Sequence, residues 1–198
     1  MKSLVIATSN PHKVEEIGAV LGQLGIECLP LGDAGIPEPE EDGATFEDNA
    51  RIKAVAYAKA LGRTVLADDS GLEVDALGGA PGVHSAYYAG KFATRAERDP
   101  ANNAKLLKAL EGVPDAQRTA RFVCVLCIAR PDGTILAESR GTFDGVIGHA
   151  PRGANGFGYD PLLVLPDGRT SAELSSDEKN ARSHRGNALR LLVPKLRG

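Results

Sequence analysis

A short apolar stretch that ends in a run of polar residues constrains this chain more than any other feature. Residues 64–67 (Thr-Val-Leu-Ala) are mostly apolar and partly β-branched, which is typical of a buried strand. Asp68, Asp69, Ser70 and Gly71 follow directly, and Gly71 permits a sharp exit from the strand. Ligands bind at strand ends in α/β sheets, so the pattern predicts that Asp69 and Ser70 lie at a functional strand tip.

The two adjacent carboxylates have two interpretations. Neighbouring side chains of a strand point to opposite faces, so only one of Asp68 and Asp69 can face a given ligand and the other should be held structurally. Two close ionised carboxylates need a cation or a shared proton, and Mg²⁺ takes carboxylate and phosphate oxygens. Asp-Asp-Ser-Gly is equally good turn chemistry. This stretch alone therefore leaves a metal site and a plain turn open.

The composition is that of an ordinary soluble globular protein. The chain has 198 residues, of which 42% are hydrophobic and 25% charged, which fits one domain or two small lobes around a cleft. The formal net charge of -3 gives no global basic field, so we expect no nucleic-acid partner and only local phosphate binding. The first residues lack the pattern of a signal peptide and no apolar run has membrane length, so we expect no membrane partner and a cytoplasmic protein.

The cysteines do not indicate a disulfide framework or a metal site. Their odd number, three, argues against a disulfide framework. Cys124 and Cys127 have the C-x-x-C spacing of a metal or redox pair, but residues 122–128 are typical of a strand, which would turn the two thiols to opposite faces. We therefore expect core cysteines.

The first residues of the chain predict a βα unit. Leu4–Thr8 is typical of a strand, and the polar turn Ser9–Lys13 leads into an amphipathic helix whose N-terminus favours an anion. Ser9 or Asn10 could equally be an ordinary N-cap. After a short strand near 27–29, residues 32–43 are rich in glycine, proline and acids, which predicts a solvated loop or a source of a second metal ligand.

A second helix is predicted from a capping pattern. Thr45 and Asp48 resemble a capping box, and the helix should run to about Leu61. Asn49 and Lys53 are four residues apart, so they should share one face of this helix.

The middle of the chain predicts a mixed sheet. Residues 72–77 alternate between apolar and polar, and the glycines and proline of 78–82 predict a flexible connector that could act as a hinge. A helix is expected over Ala96–Leu110. Arg118–Arg130 predicts the longest strand, which returns as a hairpin through Ile135–Thr142.

The C-terminal third contains a loop with three glycines around an aromatic residue. In Arg152–Pro161 the glycines would permit close approach of a ligand, and Phe157 could stack on a base or instead anchor the loop in the core. A strand is expected near 162–165. A helix should start at Ser175 and break at Ser183, which would bring the following His-Arg pair to the N-terminus of a last helix.

Six sequence blocks occur along the chain in a specific joint order. They are Thr8–Lys13, Glu40–Phe46, Ala67–Leu72, Gly78–Val83, Gly156–Pro161 and Ser183–Gly186. With these blocks, nearly the whole chain resembles the inosine/xanthosine triphosphate pyrophosphatase family, whose members hydrolyse non-standard purine nucleoside triphosphates. Each block alone is weak, but their order and spacing together are highly specific.

The resemblance implies an α/β fold in which a two-lobed subunit has a long mixed β-sheet flanked by helices and a central cleft. It implies a single pyrophosphatase domain over residues 1–198. It also implies a homodimer and a Mg²⁺-dependent site that releases nucleoside monophosphate and pyrophosphate.

The same resemblance assigns site residues by matching position. The triphosphate would be held by Thr8, Ser9, Asn10, Pro11, His12, Lys13 and Lys53. Mg²⁺ would be held by Glu40 and Asp69, Asp69 would act as the catalytic base on water, and Ser70 would contact substrate. The base would be contacted or framed by Phe157, Gly158, Tyr159, Asp160, Lys179, His184 and Arg185.

One position departs from the family pattern. Bacterial relatives commonly have Arg where this chain has Tyr87, which puts a basic contact there in doubt, although Lys91 or Arg95 could supply the charge. Two alternatives stay open: a Mg²⁺-dependent nucleotide hydrolase of other base preference, and a nucleotide-binding module without catalysis. The second alternative gives no reason for Glu40 and Asp69 to occur together.

The expected base preference follows from hydrogen bonding. Hypoxanthine and xanthine present an acceptor at O6, where adenine presents an amino donor. Protein donors that face O6 would lose their hydrogen bonds if adenine were bound, because the adenine amino group is also a donor. Such unpaired groups in a buried site can strongly disfavour a substrate. We therefore expect ITP, dITP and XTP to be preferred strongly over ATP and less strongly over GTP.

Overall fold

The computed structural model describes residues 3–8, 11–32 and 35–196, without the side chains of Pro11, His12 and Asn180. The strands are β1 (Ser3–Ala7), β2 (Glu27–Pro30), β3 (Val65–Val74), β4 (Pro81–Gly82), β5 (Thr119–Ala129), β6 (Ile135–Ile147) and β7 (Leu163–Val164). The α-helices are α1 (Pro11–Gly22), α2 (Phe46–Leu61), α3 (Arg95–Ala109), α4 (Ser176–Arg182) and α5 (His184–Leu196). Within these ranges, no helix has both the length and the apolar character needed to span a membrane.

The strands form a mixed sheet flanked by helices, as predicted. Their order is β2-β1-β3-β5-β6-β7, with β4 paired to β3 outside this path. β1 pairs in parallel with β2 and β3, whereas β3 with β4 and β6 with β7 are antiparallel. The parallel pairs result from the βα units near the start of the chain.

The chain divides into two compact units. The first unit consists of Met1–Asp69, Cys124–Gly141 and His184–Gly198, and the second of Ser70–Val123 and Thr142–Ser183. Strands β3, β5 and β6 each contribute residues to both units. The single domain with two lobes around a cleft stays a prediction.

The core of the first unit joins the first and last helices to the first strands. Its large buried side chains include Leu4, Ile6, Ile17, Leu21, Leu66, Leu126, Ile128, Leu189 and Leu192. Cys124 and Cys127 are also fully buried, and burial raises the pKa of each thiol to about 12. The prediction that Cys124 and Cys127 are core cysteines is therefore confirmed.

The second unit has its own core, fastened by a buried arginine. Its apolar cluster includes Leu72, Val74, Leu106, Leu110, Phe122, Phe143, Tyr159, Leu162 and Leu174. Arg118 is 3% exposed and donates to the backbone carbonyls of Leu110, Ile147 and Gly148 at 2.8–2.9 Å. All three carbonyls thus gain a charge-assisted hydrogen bond inside the fold.

Two predicted helix boundaries are confirmed. Thr45 caps α2, because its hydroxyl accepts from the Asp48 N–H at 3.1 Å. At the other boundary, α4 ends at Arg182 and Ser183 is extended (φ -64°, ψ 158°) before α5 begins.

Strand β6 passes very close to the start of α5 at Gly141. A Cβ at Gly141 would lie 2.2 Å from backbone atoms of α5, so only glycine permits this close approach.

Three predictions about strands are wrong. β3 does not end at residue 67 but runs through Asp68–Gly71 to Val74, so these residues form neither a strand tip nor a turn. The longest strand is β6, with 13 residues against 11 in β5. Residues 78–82 are not a free connector, because Pro81 and Gly82 pair with β3. For β3 and for residues 81–82, pairing with a neighbouring strand outweighs a local glycine or turn preference.

Candidate functional site

Consecutive carboxylates of β3 face two different groups of charges in the first unit. Asp68 contacts Lys13 and Arg185, whereas Asp69 contacts Lys53. The alternation of side chains along a strand separates the two carboxylates, as the sequence predicted.

Asp68 is buried and binds two cations. Lys13 Nζ lies 2.6 Å from Asp68 Oδ2, and Arg185 Nη2 lies 3.5 Å from the same oxygen. Arg185 also pairs with Glu16 at 2.6 Å. Burial alone would raise the pKa of Asp68, but attraction to Lys13 and Arg185 outweighs burial and holds that pKa well below its usual range. Asp68 is therefore ionised and fixes the ends of both cationic side chains.

Asp69 faces a second group of charges. Its Oδ1 lies 3.4 Å from Lys53 Nζ, and the same ammonium lies 3.0 Å from Glu41 Oε2. Burial raises the pKa of Asp69 and Glu41 adds to the rise, whereas Lys53 and Asn49 oppose it. One lysine thus faces two carboxylates, which leaves a local excess of negative charge.

The loop that carries Glu41 is fixed to α2. The Gly43 N–H donates to Asn49 Oδ1 at 2.9 Å, and a Cβ at Gly43 would lie 2.6 Å from that oxygen, so glycine permits the contact. Asn49 and Lys53 are one turn apart on α2 and both contact this loop. Glu40, the predicted metal ligand, is exposed. Its role stays a prediction.

The carboxylates of Asp69 and Glu41 suit a hard divalent cation. Asp69 Oδ2 is buried and has no hydrogen-bond partner among the described residues. An unpaired buried carboxylate oxygen is costly, and a cation would relieve both that cost and the repulsion from Glu41. Carboxylate oxygens are the donors that Mg²⁺ takes in proteins. In the described part of the chain, no three or more His, Cys, Asp and Glu side chains are grouped to hold a metal ion.

The residues predicted to hold the triphosphate belong to the first unit. Thr8 follows β1, Lys13 is the third residue of α1, and Lys53 is buried in α2. His184 and Arg185 begin α5, at a helix N-terminus as predicted. Four predicted residues, or their side chains, fall outside the described part of the chain: Ser9, Asn10, Pro11 and His12.

In the second unit, Asp160 organises the loop around Phe157. Asp160 Oδ2 accepts from the Phe157 N–H at 2.8 Å and from Lys179 Nζ at 2.5 Å, and Oδ1 accepts from Ser171 Oγ at 2.8 Å. Lys179 Nζ also lies 5.3 Å from the centre of the Phe157 ring. A Cβ at Gly156 would meet the Asp160 carboxylate at 2.1 Å, so glycine lets the carboxylate reach the loop backbone.

Tyr159 anchors this loop in the core. It is 5% exposed, and its hydroxyl donates to the Ser85 carbonyl at 2.9 Å. Phe157 is only half-buried. The core anchor of this loop is therefore Tyr159, and stacking of Phe157 on a base stays a prediction. Ser70, half-buried in β3, begins this unit.

Sequence comparison with known proteins extends over almost the whole chain. The model of the Ham1 family matches residues 4–195. The chain belongs to the Ham1 family. A dITP/XTP pyrophosphatase from a strain of Exiguobacterium is 53% identical over 201 residues, which cover 98% of this chain and 99% of that protein. A Shigella flexneri protein of the same name is 48% identical over 200 residues, which cover 100% of this chain and 99% of that protein.

Solved structures of similar proteins have the same fold. The HAM1 protein from Coxiella burnetii is 44% identical, with a TM-score of 0.90 over 100% of this chain and 99% of its own. A Mycobacterium abscessus nucleoside-triphosphatase / dITP/XTP pyrophosphatase is also 44% identical, with a TM-score of 0.77. The match covers 97% of this chain and 99% of that one. The resemblance carried by the six sequence blocks is therefore confirmed, together with the mixed α/β fold.

Sequence patterns missed three residues that the structure of this Ham1 chain brings into contact with predicted ones. Glu41 was not separated from Glu40, because adjacent acids in a loop have no periodicity that distinguishes them. Asp99 and Asn103 of α3 contact Gly158. Their spacing of four was a signal for a common helix face that could have been used.

Proposed function

We propose that this protein is a Mg²⁺-dependent pyrophosphatase of non-standard purine nucleoside triphosphates. ITP, dITP and XTP are hydrolysed to the nucleoside monophosphate and pyrophosphate, which keeps these nucleotides out of DNA and RNA. The reaction is supported by the names of relatives that are 48% and 53% identical. The observation that carries the chemistry is the buried, unpaired oxygen of Asp69 beside Lys53 and close to Glu41.

In this proposal Asp69 and Glu41 hold Mg²⁺, and Glu41 takes the role that the sequence suggested for Glu40. When bound, Mg²⁺ would neutralise charge on the phosphate oxygens. Asp69 accepts a proton from the attacking water, since a carboxylate beside a divalent cation stays ionised. Lys13 and Lys53 bind the negatively charged phosphates.

The base is recognised by residues of the loop around Phe157 and by the start of α5. The Phe157 ring stacks on the purine, which is supported by its half-buried position. Asp160 and Lys179 frame the base through the contacts that they make with this loop. His184 and Arg185 supply donors for O6, and Arg185 is held in place by Asp68. We further propose that the enzyme is a homodimer in the cytoplasm.

The test is a substrate panel with purified protein and Mg²⁺. Steady-state rates are measured for ITP, dITP, XTP, GTP and ATP, with product analysis that separates pyrophosphate from phosphate. We expect pyrophosphate release, and kcat/KM for ITP at least about a hundredfold above that for ATP, as is typical of a pocket that hydrogen-bonds its substrate. Values for ITP and ATP within a factor of about three would refute the proposed specificity.

A chelator provides the metal control. Excess EDTA should abolish turnover, and added Mg²⁺ should restore it, because the cation neutralises charge that develops in the transition state. Full activity in EDTA would contradict the metal assignment.

A further inference from the structure

Three residues of α3 contact the loop that carries Phe157, all within the second unit. Arg95, Asp99 and Asn103 are spaced by four, so they lie on one face of the helix. The Arg95 guanidinium carbon lies 4.9 Å from the centre of the Phe157 ring. Asp99 Oδ2 accepts from the Gly158 N–H at 2.8 Å, and Asn103 Nδ2 donates to the Gly158 carbonyl at 3.1 Å.

These contacts hold the residue after Phe157 by both of its backbone polar groups. Gly158 has a φ of 61°, a conformation that favours glycine. Its N–H is bound to Asp99 and its carbonyl to Asn103, so the backbone next to the ring is fixed relative to α3. A fixed backbone restricts where the Phe157 ring can lie, and Arg95 contacts the ring directly.

Stability alone does not account for this set of residues. Asn103 is 7% exposed, and its Oδ1 has no hydrogen-bond partner among the residues described. A buried unpaired acceptor is unfavourable for folding, and in the described part of the chain only the bond from Asn103 Nδ2 to the Gly158 carbonyl offsets that cost. Arg95 is exposed, where a cation–π contact adds little to folding. The shared feature of both residues is their contact with the loop around Phe157.

We propose that Arg95, Asp99 and Asn103, here called the α3 stripe, are positioning residues for recognition of the purine base. This inference rests on the proposed function, in which Phe157 stacks on the base. The stripe holds the loop in the conformation that presents the ring, and it therefore acts on base affinity through Phe157. The phosphates and the metal are bound by the first unit in the proposed function, so the stripe should leave the chemical step unchanged.

The kinetic test separates base binding from chemistry. In Asp99→Ala and Arg95→Ala we expect KM for ITP to rise about tenfold while kcat stays within about twofold, the pattern of lost uniform binding. The inhibition constant for IMP, which carries the base, should rise with KM, and that for pyrophosphate should stay constant. Asp99→Asn, which keeps an acceptor oxygen for Gly158, should restore KM to near the wild-type value.

Two controls complete the experiment. Lys108→Ala changes an exposed residue of the same helix and should leave KM unchanged. Hydrogen exchange at the Gly158 amide should accelerate in Asp99→Ala, because that variant removes its acceptor. The proposal is overturned if KM is unchanged in both alanine variants, or if IMP and pyrophosphate affinities fall together. A wild-type protein without ITP turnover would instead refute the proposed function, and the role of the stripe with it.

Discussion

Two neighbouring carboxyl groups on β3 have opposite shifts of pKa although both are buried. The pKa of Asp68 is lowered because Lys13 and Arg185 outweigh its burial. The pKa of Asp69 is raised because burial and Glu41 outweigh Lys53. Adjacent residues on opposite faces of one strand therefore have different roles, one as a permanent anion and one as a candidate base.

Asp69→Asn should nearly abolish turnover while the protein stays folded. The substitution keeps the shape of the side chain but removes a metal-ligand charge and the proton acceptor, and the activation barrier should rise by about 3 kcal/mol or more. The measurement is kcat for ITP at saturating Mg²⁺, with circular dichroism as the check on folding. Activity within tenfold of wild type would contradict the role of Asp69.

Replacing either carboxylate by a neutral amide should change the stability of the metal-free protein, in opposite directions at the two positions. A raised folded pKa means that stability falls as pH rises from the ordinary carboxyl value through the raised one, whereas a lowered pKa gives stability that is lost as pH falls. At neutral pH in EDTA, Asp69→Asn should therefore raise Tm and Asp68→Asn should lower it. In a chain of this size, each change of 1 kcal/mol in the free energy of unfolding shifts Tm by about 2–4 °C.

Thermal unfolding at several pH values tests both variants. The difference in Tm between Asp69→Asn and wild type should shrink toward pH 4, where the wild-type carboxyl becomes protonated. An Asp69→Asn variant that is less stable than wild type across the whole range would show that the charge of Asp69 is not unfavourable in the fold.

At the scale of elements, local signals predicted boundaries well and strand extents poorly. Ser183 marked the break between α4 and α5 because capping depends on nearby residues. Gly71 suggested an end to β3, but the strand continues because its extent depends on pairing with distant segments. In the candidate site, Asp69 and Lys53 were predicted by resemblance. Glu41 required the fold, since only the path of its loop brings it to Lys53.

The contact between β6 and α5 gives a prediction at this scale. Gly141→Ala should destabilise the protein by about 1–3 kcal/mol, because its Cβ would lie 2.2 Å from backbone atoms of His184 and Ala188. Urea unfolding measures the loss. Gly22→Ala is the matched control, since no atom lies within 4 Å of a Cβ there, and equal stability of the two variants would contradict the close approach.

At the scale of the whole molecule, the proposed phosphate and base contacts fall largely in different units. Lys13 and Lys53 belong to the first unit, and Phe157, Asp160 and Lys179 to the second. Contacts to phosphates carry no information about the base. Substitutions of phosphate-binding residues in the first unit should therefore lower kcat/KM for all substrates. Substitutions of base-binding residues in the second unit should change the preference between bases.

Lys13→Ala should lower kcat/KM by a similar factor for ITP, XTP and ATP. Lys179→Ala, which removes an α4 lysine that contacts the loop around Phe157, should instead change the ratio between ITP and ATP. The comparison uses kcat/KM for all three substrates in both variants. A changed ITP-to-ATP ratio in Lys13→Ala would show that this lysine is misplaced in the proposed function.

The composition of the first core has a consequence for protein synthesis. Leu4 and Ile6 of β1 pack in one cluster with Leu189 and Leu192 of α5, which are among the last described residues. A nascent chain that has released only β1 and α1 therefore lacks the partners that cover their apolar faces. β1 and α1 leave the ribosome well before α5 but complete their core only with it, so this enzyme should fold largely after α5 has emerged.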